Sequence, residues 1–177
     1  MDVFRRRGYD GASIQELVEA TGVGRGSLYG AFGSKEGLYL AAIDLYRERY
    51  AEPLVELLRS GAPARDLVRE VLVAVVDEVA TDGEWQACLI VGAAIERVHL
   101  DAVVAGRVRA VTRGLQAALS EVIAAGQRDG QLKSKRDPRE LAAFIAMTIH
   151  GLRVMGAITR DRRILMGDVE VAIACLD

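Results

Sequence analysis

Residues 13–36, SIQELVEATGVGRGSLYGAFGSKE, hold two short amphipathic segments separated only by a glycine-bearing turn, and few folds accommodate that spacing. Ile14, Leu17 and Val18 form the first apolar set and Thr21-Gly22-Val23-Gly24 the turn. Leu28 and Phe32, four apart, share one face of the second segment. The pattern predicts a helix-turn-helix. Its second helix packs through one face and leaves the rest free, and a helix about 12 Å across with its side chains fits the major groove of B-DNA.

The flanking residues carry start and stop signals. Ser13 with Glu16 three positions on makes a capping box, Ser34 opens the next helix ahead of Glu36 and Gly37, and Gly8 stands where a helix carrying Val3 and Phe4 should end in a left-handed cap. From Lys35 the positions Leu38, Ala41, Ala42, Leu45 and Tyr46 keep helical spacing to about Tyr50, where Pro53 removes a backbone donor and should kink or break a helix bridging two domains. Helical periodicity continues through Leu67–Val79, Trp85–Val98 and Asp101 to about Gly126–Gly130. Asp137-Pro138-Arg139-Glu140 then marks the start of a helix running to Thr159. No segment alternates with the period of a strand, so the expected fold class is all-α.

The helix from Pro138 shows two apolar stripes. Leu141, Phe144, Ile145, Thr148, Leu152 and Met155 fall together on a wheel and are expected in the core, while Met147, Gly151, Val154 and Ile158 form a second seam. A monomer's surface helix needs only one. The second seam, with Val169, Ile173 and Leu176 of the last helix, is therefore expected to be a subunit interface in a homodimer, Gly151 allowing close backbone approach.

Of the 177 residues 51% are apolar and only 5% aromatic, which predicts a core of many small aliphatic contacts and, for any small-molecule cavity, an aliphatic lining suited to a mostly apolar compound. The net charge is -2, and within residues 1–50 seven bases are matched by seven acids, so binding to nucleic acid would rest on the local cluster Arg5-Arg6-Arg7 with Arg25 and Lys35. Cys88 and Cys175 give neither a disulfide framework nor paired metal-ligand spacing, which with no uninterrupted membrane-length apolar run and no leader pattern points to a reduced, cytoplasmic protein. No metal or other cofactor is expected, since His99 and His150 each stand alone. The run Gly22–Ser27, GVGRGS, follows a helix and lacks the Gly-Lys-Ser/Thr ending of a phosphate-cradling loop. No Ser-His-Asp or paired-carboxylate arrangement stands out, so a small all-α enzyme is disfavoured. A helical dimerisation module whose helix-turn-helix no longer binds DNA is the other alternative.

Phe4, Gly8-Tyr9, Ser13-Ile14, Ala20-Thr21-Gly22-Val23, Gly26-Ser27-Leu28-Tyr29, Phe32 and Ser34-Lys35-Glu36-Gly37-Leu38 occur in the order found in the TetR family of bacterial transcriptional regulators, which the first quarter of the chain resembles. The resemblance implies a nine-helix homodimer. Residues 1–37 would form the DNA-binding domain and 38–177 the ligand-binding and dimerisation domain, with repression of transcription until a small molecule binds. It also implies a first helix reaching about three turns upstream of Met1. By the same resemblance Ser13, Tyr29 and Lys35 would contact phosphates of a double-stranded operator, and Arg25 and Ser27 would meet base edges, with Gly26 permitting close approach. Family members commonly carry longer polar residues where this chain has Gly30 and Ala31, so readout is expected to lean on Arg25 and DNA shape. Trp85 and Cys88 fall where the family's ligand domain meets its DNA domain. Some members with a similar Cys-Leu-Ile segment sense electrophiles through that cysteine, whereas composition alone reads Cys88 as a small buried hydrophobe.

Overall fold

The computed structural model describes residues 1–80 and 87–177. Its α-helices are α1 (Asp2–Gly11), α2 (Ile14–Thr21), α3 (Arg25–Phe32), α4 (Lys35–Tyr46), α5 (Glu52–Leu58), α6 (Ala64–Ala80), α7 (Leu89–Glu96), α8 (Ala102–Arg128), α9 (Pro138–Thr159) and α10 (Arg162–Ala174). A π-helical turn, Arg47–Ala51, joins α4 to α5, so the backbone is helical from Lys35 to Leu58 and the described residues hold nine helical runs and no strand. The chain packs as two compact units, Met1–Tyr50 with Gln86–Val111, and Ala51–Trp85 with Thr112–Asp177.

The sequence signals translate into local geometry. Pro53 lies in the first turn of α5, where its missing N–H costs least. The widened π turn just before it absorbs the steric demand of the ring, so the helix shifts register where a kink or break is expected. Asp101 accepts the backbone N–H groups of Val103 (2.8 Å) and Val104 (3.1 Å) to start α8. Asp137 does the same for Arg139 (2.8 Å) to start α9.

In the first unit the core is aromatic, contrary to the expectation from composition. Phe4, Tyr9, Tyr39 and Tyr46 are all buried with Ile43, Leu89, Ile90 and Ala93, and Tyr39 meets the rings of Phe4 and Tyr9 edge-on, each at 4.9 Å between centroids. Few aromatics in the whole chain does not mean few in each core.

The second unit is aliphatic. Helix α6 packs on α9 and α10 through Leu67, Val68, Val71, Leu72, Val75 and Val76. Against them α9 turns Leu141, Ala142, Ile145, Ala146, Ile149 and Leu152, while Arg153, also buried, pairs with Glu78 at 3.0 Å. This corrects the predicted stripes, because the core face is centred on Ile145 and Ile149, and Phe144 and Met155 stand among the exposed residues. Met147 (63% exposed), Gly151, Val154 and Ile158 (71%) do form an uncovered apolar seam. Their expected partners near the end of the chain do not. Val169, Ile173 and Leu176 are fully buried in the unit's own core, whereas Ile164 and Val171 are exposed and seven residues apart. By length and hydropathy alone α9 could cross a membrane, but its apolar residues are divided between this core and the exposed seam.

Two glycine substitutions should separate packing from helix propensity. At Gly156 an added Cβ would sit 2.5 Å from a Val79 methyl, so Gly156→Ala should cost about 1–3 kcal/mol by overpacking. At exposed Gly114 in α8 nothing lies within 4 Å, so Gly114→Ala should stabilise by roughly 0.5–1 kcal/mol. Urea unfolding followed by circular dichroism measures both, and equal signs would be incompatible with this packing.

Candidate nucleic-acid interface

The helix-turn-helix is built almost wholly by local bonds. At the start of α2 the Ser13 hydroxyl accepts the Glu16 N–H (3.1 Å), and the Glu16 carboxylate accepts the Ser13 N–H (3.0 Å). These bonds, with the Ser13 hydroxyl also donating to Glu16, hold the Glu16 carboxyl below its ordinary range; Arg7 adds an ion pair at 3.2 Å. The hydroxyl therefore already spends its proton within the protein. Gly22 ends α2 in the left-handed region (φ 68°, ψ 9°), donating to Val18, and Gly24 then leads into α3 with extended geometry.

Helix α3 buries only Leu28. Arg25, Gly26, Ser27, Gly30 and Ala31 are exposed, Tyr29 is half-buried, and Phe32, expected beside Leu28 in the packing face, is 40% exposed. Arg25 places its guanidinium 5.4 Å from the centroid of the Tyr29 ring, one turn along the same helix. An eight-residue helix with one buried anchor is shaped to meet a partner.

The basic run near the start of the chain is divided. Arg6 and Arg7 are exposed, but Arg5 is buried in the first unit's core, its Nε donating to the Ala87 carbonyl (2.9 Å) and its Nη1 to the Tyr50 hydroxyl (2.7 Å). The Arg5 guanidinium also lies over the rings of Tyr50 and Tyr46 at 4.5 and 5.4 Å. Arg5 thus leaves the expected phosphate-facing cluster, because partners distant in sequence satisfy its donors inside the unit.

Around Tyr9 the structure assembles a group that sequence spacing does not announce. The Tyr9 N–H donates to Glu96 at the end of α7 (2.6 Å), and its phenol donates to the Glu36 carboxylate (2.6 Å). Lys35 Nζ and the Arg97 guanidinium lie 4.6 and 4.2 Å from the centroid of the same ring. Burial and the carboxylate acceptor push the Tyr9 phenol up to about 12. That hydrogen bond, first among its causes, brings Glu36 down to about 2. Gly8 makes the arrangement possible, since it takes φ 71° and a Cβ there would fall 2.0 Å from Glu96 Oε1. Its ψ of -175° is extended, so α1 breaks at Gly8 without the expected left-handed cap. At the other end Ser34 caps α4 by accepting the Gly37 N–H (3.1 Å), where a side chain would collide with the Phe32 carbonyl.

Cys88 is buried as the N-cap residue of α7, and its sulfur accepts a hydrogen bond from the Tyr46 hydroxyl at 3.2 Å. Trp85, the other residue expected near a ligand, lies outside the described residues. Among those described, no three His, Cys, Asp or Glu side chains converge as metal ligands would.

Comparison with known proteins bears directly on this interface. Residues 1–42 match the model of bacterial regulatory proteins of the tetR family, and residues 62–167 match that of the tetracyclin repressor-like C-terminal domain. The HTH-type transcriptional regulator YezE of Bacillus subtilis is 26% identical over the full length of this chain and 92% of its own. The repressor NemR of Escherichia coli is 26% identical over 88% of this chain and 79% of its own. The TetR family regulator CifR, solved as a cysteine variant with 26-base-pair operator DNA, superposes with a TM-score of 0.88 at 34% identity, covering 99% of this chain and 92% of its own. With both halves matched and the helix-turn-helix formed, the chain belongs to the TetR family of bacterial DNA-binding transcriptional regulators.

Proposed function

We propose that this regulator is a repressor that binds a near-palindromic operator as a homodimer and releases it when a small, mostly apolar effector binds. The observation that carries the reading is the exposure of α3 on every side but that of Leu28. Arg25 and Ser27 meet base edges in the major groove, Arg25 through a bidentate contact to guanine, while Gly26 and Gly30 let the helix approach closely. Tyr29 and Lys35 hold phosphates, and Ser13 joins them by turning its hydroxyl from Glu16 to a phosphate oxygen. Residues 1–37 carry DNA binding, and residues 38–177 carry effector binding and dimerisation.

The dimer forms through Met147, Gly151, Val154 and Ile158 of α9, with Ile164 and Val171 of α10 in place of the buried residues that the sequence pointed to. Pairing two recognition helices on successive major grooves requires a separation near 34 Å. An effector weakens DNA binding only if it favours a state in which that separation is wrong. The π turn at Arg47–Ala51 is the natural place for such a change, because its hydrogen-bond register already departs from that of the helices on either side.

A thiol-reactive effector is the second reading, motivated by Cys88 at the start of α7, whose sulfur accepts a hydrogen bond from the Tyr46 hydroxyl.

DNA selected by the wild-type protein from a random pool supplies the probe for the base-contact and thiol tests below. Arg25→Ala should relax specificity at one position of each half-site, at a cost of about 1–3 kcal/mol, whereas Lys35→Ala should weaken all sequences alike and reduce the salt slope by roughly one for each phosphate that Lys35 neutralises. Equal losses across all sequences for both variants would reverse these roles. Ile158→Glu should yield a folded monomer by sedimentation velocity, and an unchanged dimer would place the interface elsewhere. N-ethylmaleimide should release operator from wild type and Cys175→Ser but leave Cys88→Ser bound; release from all three would remove the thiol reading.

A further inference from the structure

Neighbouring residues of opposite charge, Lys35 and Glu36, open α4 at the place where the operator reading puts a phosphate. Left to themselves they would oppose one another, because a carboxylate in the same helical turn repels what the ammonium attracts. Tyr9 touches both. Its ring face lies under the Lys35 ammonium at 4.6 Å, and its hydroxyl donates to Glu36 Oε1 at 2.6 Å. Tyr9 is itself held firmly: its N–H is bonded to Glu96, its ring lies against Arg97 and Tyr39, and it is buried although both of the groups it grips are partly or fully exposed.

We propose that Tyr9 is a positioning residue for DNA binding, tying down the Glu36 carboxylate through its phenol while its ring seats the Lys35 ammonium, so that the first turn of α4 presents a cation to the phosphate. The inference rests on the operator reading above. A long lysine side chain seated on a fixed ring loses less conformational freedom when it meets a phosphate. A carboxylate that accepts a hydrogen bond from the phenol keeps its charge but is held in one place, and cannot sweep through the space beside Lys35. Neither role needs contact between Tyr9 and the nucleic acid.

Charge removal distinguishes this role from simple scaffolding. Tyr9→Phe keeps the ring and its packing but frees Glu36, and should weaken binding of the selected operator by about fivefold at low salt. Because the released carboxylate acts by repulsion, the deficit should shrink toward about twofold as salt rises from roughly 50 to 200 mM. Glu36→Gln alone should bind as tightly as wild type or more tightly, and adding Glu36→Gln to Tyr9→Phe should restore affinity. Were the phenol–carboxylate bond only a structural tie, Glu36→Gln would lose as much affinity as Tyr9→Phe and the double variant would not recover; that result overturns the proposal. Should Tyr9→Phe fail to fold by circular dichroism, weakened binding by Glu36→Gln alone overturns it as well, and undiminished binding supports it. Wild-type protein that binds no DNA at low salt defeats the operator reading together with this inference, whereas wild-type binding with no rescue defeats the inference alone.

Discussion

One carboxylate, Glu96, ties the start of the first unit to its seventh helix. It accepts the Tyr9 N–H at 2.6 Å and occupies the space that any side chain at position 8 would need, so α1 can break at Gly8 only because that residue has no Cβ. A hydrogen bond of this charged kind contributes about 1.5–3 kcal/mol, and losing it would leave the N–H of a buried tyrosine unsatisfied. The break turns the Tyr9 ring into the aromatic cluster with Phe4 and Tyr39, and the phenol out to Glu36 at the start of α4. A residue from the seventh helix thus sets where the first breaks and where the fourth is gripped. Arg5 repeats the theme a turn earlier, reaching the Ala87 carbonyl just ahead of α7.

The two units solve the packing problem with different side chains. Edge-to-face rings and buried polar handles give the first unit directional contacts, which suit a scaffold that must hold a short, one-anchor recognition helix still. The second unit relies on Val, Leu, Ile and Ala interdigitating along α6, α9 and α10, and α9 serves two faces at once. Glycine marks each face: Gly156 meets Val79 inside, and Gly151 stands open on the seam outside. Buried Arg153, paired with Glu78, is a charged residue at the edge of this core.

What was legible in the sequence was local. Capping serines and aspartates, the turn glycines and the Asp137-Pro138 start signal act over three or four residues, and each stands where the spacing placed it. Helix faces were less secure. A wheel at 100° per residue does not tell which flank of α9 faces α6, so Phe144 and Met155, core residues by that wheel, lie outside the core. At the end of the chain Val169, Ile173 and Leu176 read as an interface because nothing in their own segment shows that the unit's own core takes them. Arg5 read as one of three equivalent arginines, and only the fold supplies Ala87 and Tyr50 as its partners. Tyr9 was visible as half of a family motif, but its tie to Glu96 spans 87 residues and leaves no local trace.

A solvent-exposed α3 anchored by Leu28, if duplicated through the α9 seam proposed above, would make a paired reader of DNA. Hydroxyl-radical footprinting of the wild-type protein on its selected operator measures that pairing most directly. Two protected patches on one face of the duplex, about one helical turn apart centre to centre or a whole multiple of it, are the expected result. A single patch, or two patches out of phase with the helical repeat, would contradict it.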